Sequence, residues 1–167
     1  NELGVRLKRE FSYNEHISEL SDALEHKQAQ CLTYTQLVYI TGSSIGLSVS
    51  PISVIKLVMG IFPGTAGHIA CIVSLSNGNT LMVDMSTEVD GASRALISKP
   101  FKIEKKFREV ANYLQLNSKD NPLMLHRGFK LLDRNGLIGA LYNNRGTACD
   151  KSGQHEKAIA DYYNKAI

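Results

Sequence analysis

Two apolar segments joined by four small polar residues constrain the fold of this chain more than any other feature. HIACIVSL (68–75) and TLMVDM (80–85) flank SNGN, and Asn-Gly between hydrophobic runs is a strong β-hairpin signal. Asp84 interrupts the second run, and an unpaired buried carboxylate is costly. We therefore expect a hairpin in which Asp84 has a partner.

The length of the hairpin loop decides whether Asp84 can meet His68, the nearest candidate partner on the first strand. With a simple two-residue turn at Asn77-Gly78, the two side chains would point to opposite faces of the sheet. A three-residue loop or a single bulge places them on one face, and Gly78 permits either. A loop N–H group or a lysine is the alternative partner for Asp84.

Cys31 directly precedes an amphipathic run that ends near TGSSIG. A cysteine is usually a small buried packing residue, but a thiol at a helix N-terminus lies at the positive end of the helix dipole, which favours thiolate. Thiol catalysis also needs an imidazole, a carboxylate that orients it and N–H groups for an oxyanion. Cys31, His68 and Asp84 are therefore the candidate catalytic residues, although a structural strand-edge histidine is the alternative for His68.

The remaining periodicity predicts an α+β fold. Strands are predicted over 47–61, with Pro51 at the edge or start, and over 101–103. Helical spacing recurs in six segments, which are 13–30, 31–46, 107–116, 121–136, 137–153 and 154–167. N-terminal helices packed on a small antiparallel sheet, followed by helices alone, predict a core of residues 1–117 and a helical segment of residues 118–167.

Composition and motifs exclude several classes of protein. The net charge is only +3, and the basic residues are interleaved with acids, so we expect no nucleic-acid partner. The longest apolar run, 52–62, is too short for a membrane span. The three cysteines lie far apart without a CxxC pair, which argues against a disulfide framework or a zinc site. We expect no cofactor and no metal.

The first residue, Asn1, is not Met, which favours the removal of an N-terminal piece such as a targeting signal. We expect a soluble protein. The sequence leaves two alternatives for its compartment. One is the cytoplasm, and the other, after removal of such a segment, is the periplasm or the exterior.

Residues 20–105 resemble the transglutaminase-like superfamily. DALEHKQAQCLTYTQLVYITGSSIGLSV (22–49) is similar to the helix that follows the family's cysteine, and GHIACIVSLSNGNTLMVDMS (67–86) is similar to its histidine and aspartate strands. The resemblance implies a papain-like core with Cys31 as nucleophile, His68 as base and acid, and Asp84 as the group that orients it. It implies acyl transfer from a peptide or protein through a thioester, to water or to an amine.

The chain departs from the family pattern around the oxyanion. It contains no Trp, the residue that assists the oxyanion in animal transglutaminases, so calcium-dependent cross-linking of the animal type is not expected. Gln28 and Gln30 are candidate substitutes as side-chain donors.

The C-terminal residues resemble a tetratricopeptide repeat. In LYNNRGTACDKSGQHEKAIADYYNKAI (141–167), small Gly146 and Ala158 are expected to let two antiparallel helices approach, with Tyr142 and Tyr162 around them. Ala166 comes one residue late for the family's spacing. The resemblance implies helices that dock a protein partner. Because one repeat cannot bury its own apolar face, it either packs on the core or belongs to a longer array that has been truncated. Truncation is the favoured expectation, since the sequence stops inside the second helix of the repeat.

The chain as a whole resembles a group of bacterial proteins that join a transglutaminase-like core to such repeats. Many members of that group lack one or more of the catalytic residues. The first hypothesis is therefore a Cys31–His68–Asp84 hydrolase or acyltransferase, and the second is an inactive scaffold that acts as a protein-interaction module. An N-acyltransferase is a third, and it requires an acyl-donor pocket that the sequence does not indicate.

Overall fold

The computed structural model describes residues 2–56, 68–86, 88–89, 92–93, 96–97, 113–114 and 126–166. Side chains are described over 2–53, 68–86 and 130–166. The strand predicted for 101–103 lies outside the described residues.

The helices lie at the two ends of the described chain. They are α1 (Glu2–Glu10), α2 (Leu20–His26), α3 (Cys31–Ser44), α4 (Arg134–Lys151) and α5 (His155–Lys157), followed by a π-helical turn (Ala158–Tyr162) and a 3-10 turn (Tyr163–Lys165). The helix predicted from Cys31 is confirmed. The helix predicted over 13–30 is confirmed only for Leu20–His26. Lys27, with a left-handed φ of 54°, ends α2, and Tyr13 and Gln28–Ala29 lie in short strands instead.

The strands form one main sheet and two small pairs. They are β1 (Ser12–Tyr13), β2 (Gln28–Ala29), β3 (Ser48–Lys56), β4 (His68–Ser74), β5 (Thr80–Asp84), β6 (Glu88–Val89), β7 (Ala92–Ser93), β8 (Leu96–Ile97), β9 (Tyr113–Leu114) and β10 (His126–Leu131). The main sheet has the order β8-β5-β4-β3-β10-β9, and every neighbouring pair in it is antiparallel. N-terminal helices on an antiparallel sheet with helices after it confirm the α+β class.

Strand β10 replaces part of a predicted helix. It pairs with β3 along its length, with Phe129 beside Val54 and Leu131 beside Ile52. The helix predicted for 121–136 is therefore wrong over His126–Leu131. The expectation that helices alone follow residue 103 is also wrong, because Tyr113–Leu114, within the helix predicted for 107–116, is a strand as well. The chain division at residue 117 stays a prediction, but the main sheet takes a strand from each side of it.

Pro51 lies inside a central strand, so its predicted place at a strand edge or start is wrong. It is the fourth residue of β3 and pairs with Cys71 of β4. Its carbonyl accepts a hydrogen bond from the Leu132 N–H at 2.9 Å, just past the end of β10. The proline nitrogen faces that same side, at the end of the β3–β10 pairing, so its missing N–H removes only the terminal bond of that ladder.

Helix α3 packs on the sheet and organises the core. Its buried residues Tyr34, Leu37 and Val38 join a cluster with Cys71 and Val73 of β4. The Tyr34 hydroxyl donates to the Phe11 carbonyl at 2.7 Å, which ties α3 to the end of α1. None of the helices in the described part of the chain has the length and apolarity to cross a membrane.

The C-terminal turns pack closely on α4 through glycine. A Cβ on Gly146 would lie 2.5 Å from the Tyr163 ring, and Ala158 is fully buried. The expected close approach is present, but Tyr163 covers Gly146 where Tyr162 was expected to pack beside it. The π-helical turn at Ala158–Tyr162 explains the shift, because such a turn accommodates one extra residue.

Gly146→Ala is expected to lower the free energy of unfolding by about 1–3 kcal/mol, the usual cost of overpacking. The new methyl group would overlap the Tyr163 ring. In a Tyr163→Ala background the same change is expected to be neutral or to stabilise by up to about 1 kcal/mol, since alanine is the better helix former. Urea unfolding of the four proteins measures both values, and an equal cost in both backgrounds would contradict the close packing.

Candidate active site

Cys31 is the first residue of α3 and is held in place by the turn before it. The Gln30 N–H donates to the Thr33 hydroxyl at 2.8 Å, and that hydroxyl lies 3.2 Å from the Ile17 carbonyl. The preceding strand β2 is paired with β1. Cys31 itself is partly exposed, so its thiol is reachable while its backbone is fixed.

The hairpin has the loop that a His68–Asp84 contact requires. The ladder continues through Ser74 and Thr80, and the Leu75 N–H donates to the Asn79 carbonyl at 2.8 Å. This leaves a three-residue loop in which Gly78 has a φ of 80°, the left-handed conformation that favours glycine. The prediction of a three-residue loop or a bulge is confirmed.

His68 links the other two candidate residues. Its Nε2 is hydrogen-bonded to Asp84 Oδ2, and the Cys31 side chain interacts with the ring and helps to raise the pKa of the imidazole. Because Nε2 faces the carboxylate, Nδ1 is the ring nitrogen left for the thiol. The structure thus brings together the helix N-terminus, the start of β4 and the end of β5.

The surroundings of His68 favour its protonated form. Burial lowers the pKa of the imidazole, but the hydrogen bonds and charges of Asp84 and Cys31 outweigh it and raise the pKa from 6.5 to about 10. The His68 side chain is 21% exposed and that of Asp84 only 1%. The weak screening at such a depth strengthens both interactions.

Asp84 has further partners, which include both alternatives considered from the sequence. Its Oδ1 accepts hydrogen bonds from the Ser86 N–H at 2.9 Å and the Ser86 hydroxyl at 3.0 Å. Lys8 of α1 interacts electrostatically with the carboxylate, although burial is the larger effect and lowers the pKa of Lys8. Sequence reasoning missed Lys8, because no local pattern connects α1 with a strand far along the chain.

The two candidate oxyanion donors differ in their contacts. The Gln28 side-chain oxygen accepts a hydrogen bond from Asn14 Nδ2 at 2.7 Å. The Gln30 side chain also accepts a hydrogen bond, from the Thr33 N–H, but Gln30 lines the same cleft as Cys31. Gln30 is therefore the better placed of the two beside the thiol.

The other two cysteines have different environments. Cys71 is fully buried, its Sγ lies 3.5 Å from the Thr35 carbonyl, and burial raises the pKa of its thiol to about 12. Cys149 is free and partly exposed on α4. Within the described ranges, no group of three or more His, Cys, Asp and Glu side chains is placed to hold a metal ion.

A cleft of about 980 Å³ opens beside Cys31. Its lining includes residues of the segment from Tyr13 to Ser18 and residues along α4. Leu137 of α4 packs against Leu32 and Ile69 near the thiol. Further along the helix, Arg145 forms a two-point ion pair with Glu19, with both distances 2.6 Å.

Comparisons with known proteins find no similar protein, so any functional assignment rests on the geometry described above. No family model, no curated protein and no solved structure matches the chain.

Proposed function

We propose that the protein is a thiol-dependent enzyme that transfers or hydrolyses the acyl group of a peptide or protein amide. The observation that carries the proposal is the position of His68, whose Nε2 is hydrogen-bonded to the buried Asp84 carboxylate and whose ring interacts with Cys31. A thiol, an imidazole and a buried carboxylate in this order form the unit that nucleophilic acyl transfer needs.

Each residue has a defined part in the proposed reaction. His68 takes the thiol proton, and the Cys31 sulfur attacks the carbonyl carbon of the substrate. The carbon–nitrogen bond breaks, the amine leaves with the proton from His68, and a thioester remains on Cys31. Water or a second amine then attacks the thioester, gives a proton to His68 and releases the thiolate.

The electrostatic parts of the site support these steps. Asp84 holds the imidazole in one orientation and stabilises its positive charge, as in other triads. The backbone N–H groups at the start of α3 point towards the region of the thiol, where an oxyanion would form. Gln30, which lines the cleft beside Cys31, is the proposed side-chain donor.

We also propose a family for each part of the fold. A cysteine at the start of a helix that packs on an antiparallel sheet, with histidine and aspartate on neighbouring strands, supports a papain-like, transglutaminase-like core. The close packing of Gly146 on the C-terminal turns supports a tetratricopeptide-like hairpin for the last helices.

A trapping experiment tests the function. The protein is incubated with a pool of synthetic peptides, quenched in acid and digested, and the peptide that contains Cys31 is weighed by mass spectrometry. We expect an acyl adduct that hydroxylamine removes as a hydroxamate and that Cys31→Ser, His68→Ala and Asp84→Ala lose. Cys149→Ser is the matched control and is expected to keep the adduct.

The same experiment separates the enzyme from the inactive scaffold. Peptides that bind the protein but leave no adduct on Cys31, and whose binding survives Cys31→Ser, would contradict the enzyme and support the interaction module.

A further inference from the structure

One complete face of α4 lines the cleft beside Cys31. Along the helix this face presents Gly136, Ala140, Asn143, Thr147 and Lys151. Small residues near the thiol leave the cleft open, and the polar residues further along give it hydrogen-bonding groups. The stretch from Gly136 to Lys151 is about 22 Å long at the rise of an α-helix, which matches about six or seven residues of an extended peptide.

The charged side chains of the cleft are mostly cationic. Lys130 and Lys151 both line it, and neither forms an ion pair within the described part of the chain. Glu15 also lines the cleft and lies 3.6 Å from His16, and both of these side chains are highly exposed. Among the described residues that line the cleft, two lysines therefore outnumber one carboxylate.

We propose that α4 is part of the substrate-binding site and that the cleft takes an extended peptide with acidic side chains. Lys130 and Lys151 attract the acidic groups, while Cys31 attacks the peptide carbonyl. This inference rests on the proposed function, and it gives the last helices a role in selecting the substrate itself.

Paired alkylating reagents test the inference without a known substrate. The probes are the chloromethyl ketones of acetyl-Glu-Ala-Ala, acetyl-Gln-Ala-Ala and acetyl-Lys-Ala-Ala, whose chloride the Cys31 sulfur displaces. Iodoacetamide is the small neutral reference. We expect the Glu reagent to react about tenfold faster than the Lys reagent at an ionic strength of about 0.01 M, and we expect this preference to shrink at about 1 M, where charges are screened.

Variants assign the preference to the two lysines. Lys130→Gln with Lys151→Gln is expected to remove the preference for Glu over Gln after each rate is divided by the iodoacetamide rate. Lys157→Gln, an exposed lysine on α5 that does not line the cleft, is the matched control and is expected to keep it.

The outcomes separate the two proposals. Slow iodoacetamide alkylation of Cys31 at neutral pH that His68→Ala does not change would overturn the proposed function. Fast alkylation with no preference for the Glu reagent would overturn this inference alone. A preference that survives the double lysine variant would do the same.

Discussion

Changing His68 to alanine is expected to slow the alkylation of Cys31 by iodoacetamide at pH 6 by at least about tenfold. The pKa of about 10 keeps the His68 ring positive at this pH, and the proposed reacting form is a thiolate beside that cation. Without the imidazolium, an ordinary thiol with a pKa of about 8.5 is only about 0.3% ionised at pH 6. A more basic thiolate is a better nucleophile, which recovers part of the loss.

The chain contains its own controls for this measurement. Cys149 is partly exposed and serves as the reference thiol, while buried Cys71 becomes reactive only if the fold is lost. His26→Ala changes an exposed histidine that does not line the cleft, and it is expected to leave the Cys31 rate unchanged. His68→Gln gives a second variant with a smaller loss of side-chain volume. Equal rates for Cys31 and Cys149 at pH 6, with no response to either His68 variant, would contradict the triad.

The interactions of His68 are also expected to make stability depend on pH. In the folded chain His68 keeps its proton up to a pKa of about 10, whereas in the unfolded chain it loses the proton near 6.5. Between these values the unfolded state binds fewer protons, so the free energy of unfolding falls as pH rises. One pKa unit corresponds to about 1.4 kcal/mol, and we expect the His68 contribution to fall by at least about this amount between pH 6 and pH 10.

The difference between the wild type and His68→Gln isolates this contribution. Lys8 and Cys71 also have shifted pKa values, and their effects cancel in the comparison. Urea unfolding is measured at pH 6, 8 and 10, and the advantage of the wild type is expected to be largest at pH 6. A constant difference across this range would contradict the raised pKa of His68.

The sequence alone predicted those features of the fold and the site whose determining contacts are local in the chain. The Asn77-Gly78 pair and the flanking strands predicted the hairpin, and the parity of the strand residues then required the loop that is found. The start of α3 at Cys31 followed from a hydrophobic period that begins there. The candidate residues could be named together because two of them lie on that hairpin and the third begins the helix.

The errors occurred where distant parts of the chain override local preference. The apolar residues around Phe129 fit a helical period, yet β3 offers an open side for pairing and 126–131 becomes a strand. Pro51 disfavours a central strand unless its nitrogen faces a place where pairing stops, which depends on where β10 ends. Lys8 approaches Asp84 only through the packing of α1 on α3. None of these contacts leaves a short-range pattern in the sequence.

The position of β10 in the sheet has a consequence for how the protein is made. α3 and the hairpin leave the ribosome well before β10, which must then find β3 across a long stretch of chain. Pairing over such a separation is slow to form, because the two ends of the intervening chain must first be brought together. Only Leu132 and Asp133 separate β10 from α4, so the helical wall of the cleft arrives with that strand. We expect the thiol of a nascent chain to remain without its cleft until α4 has left the ribosome.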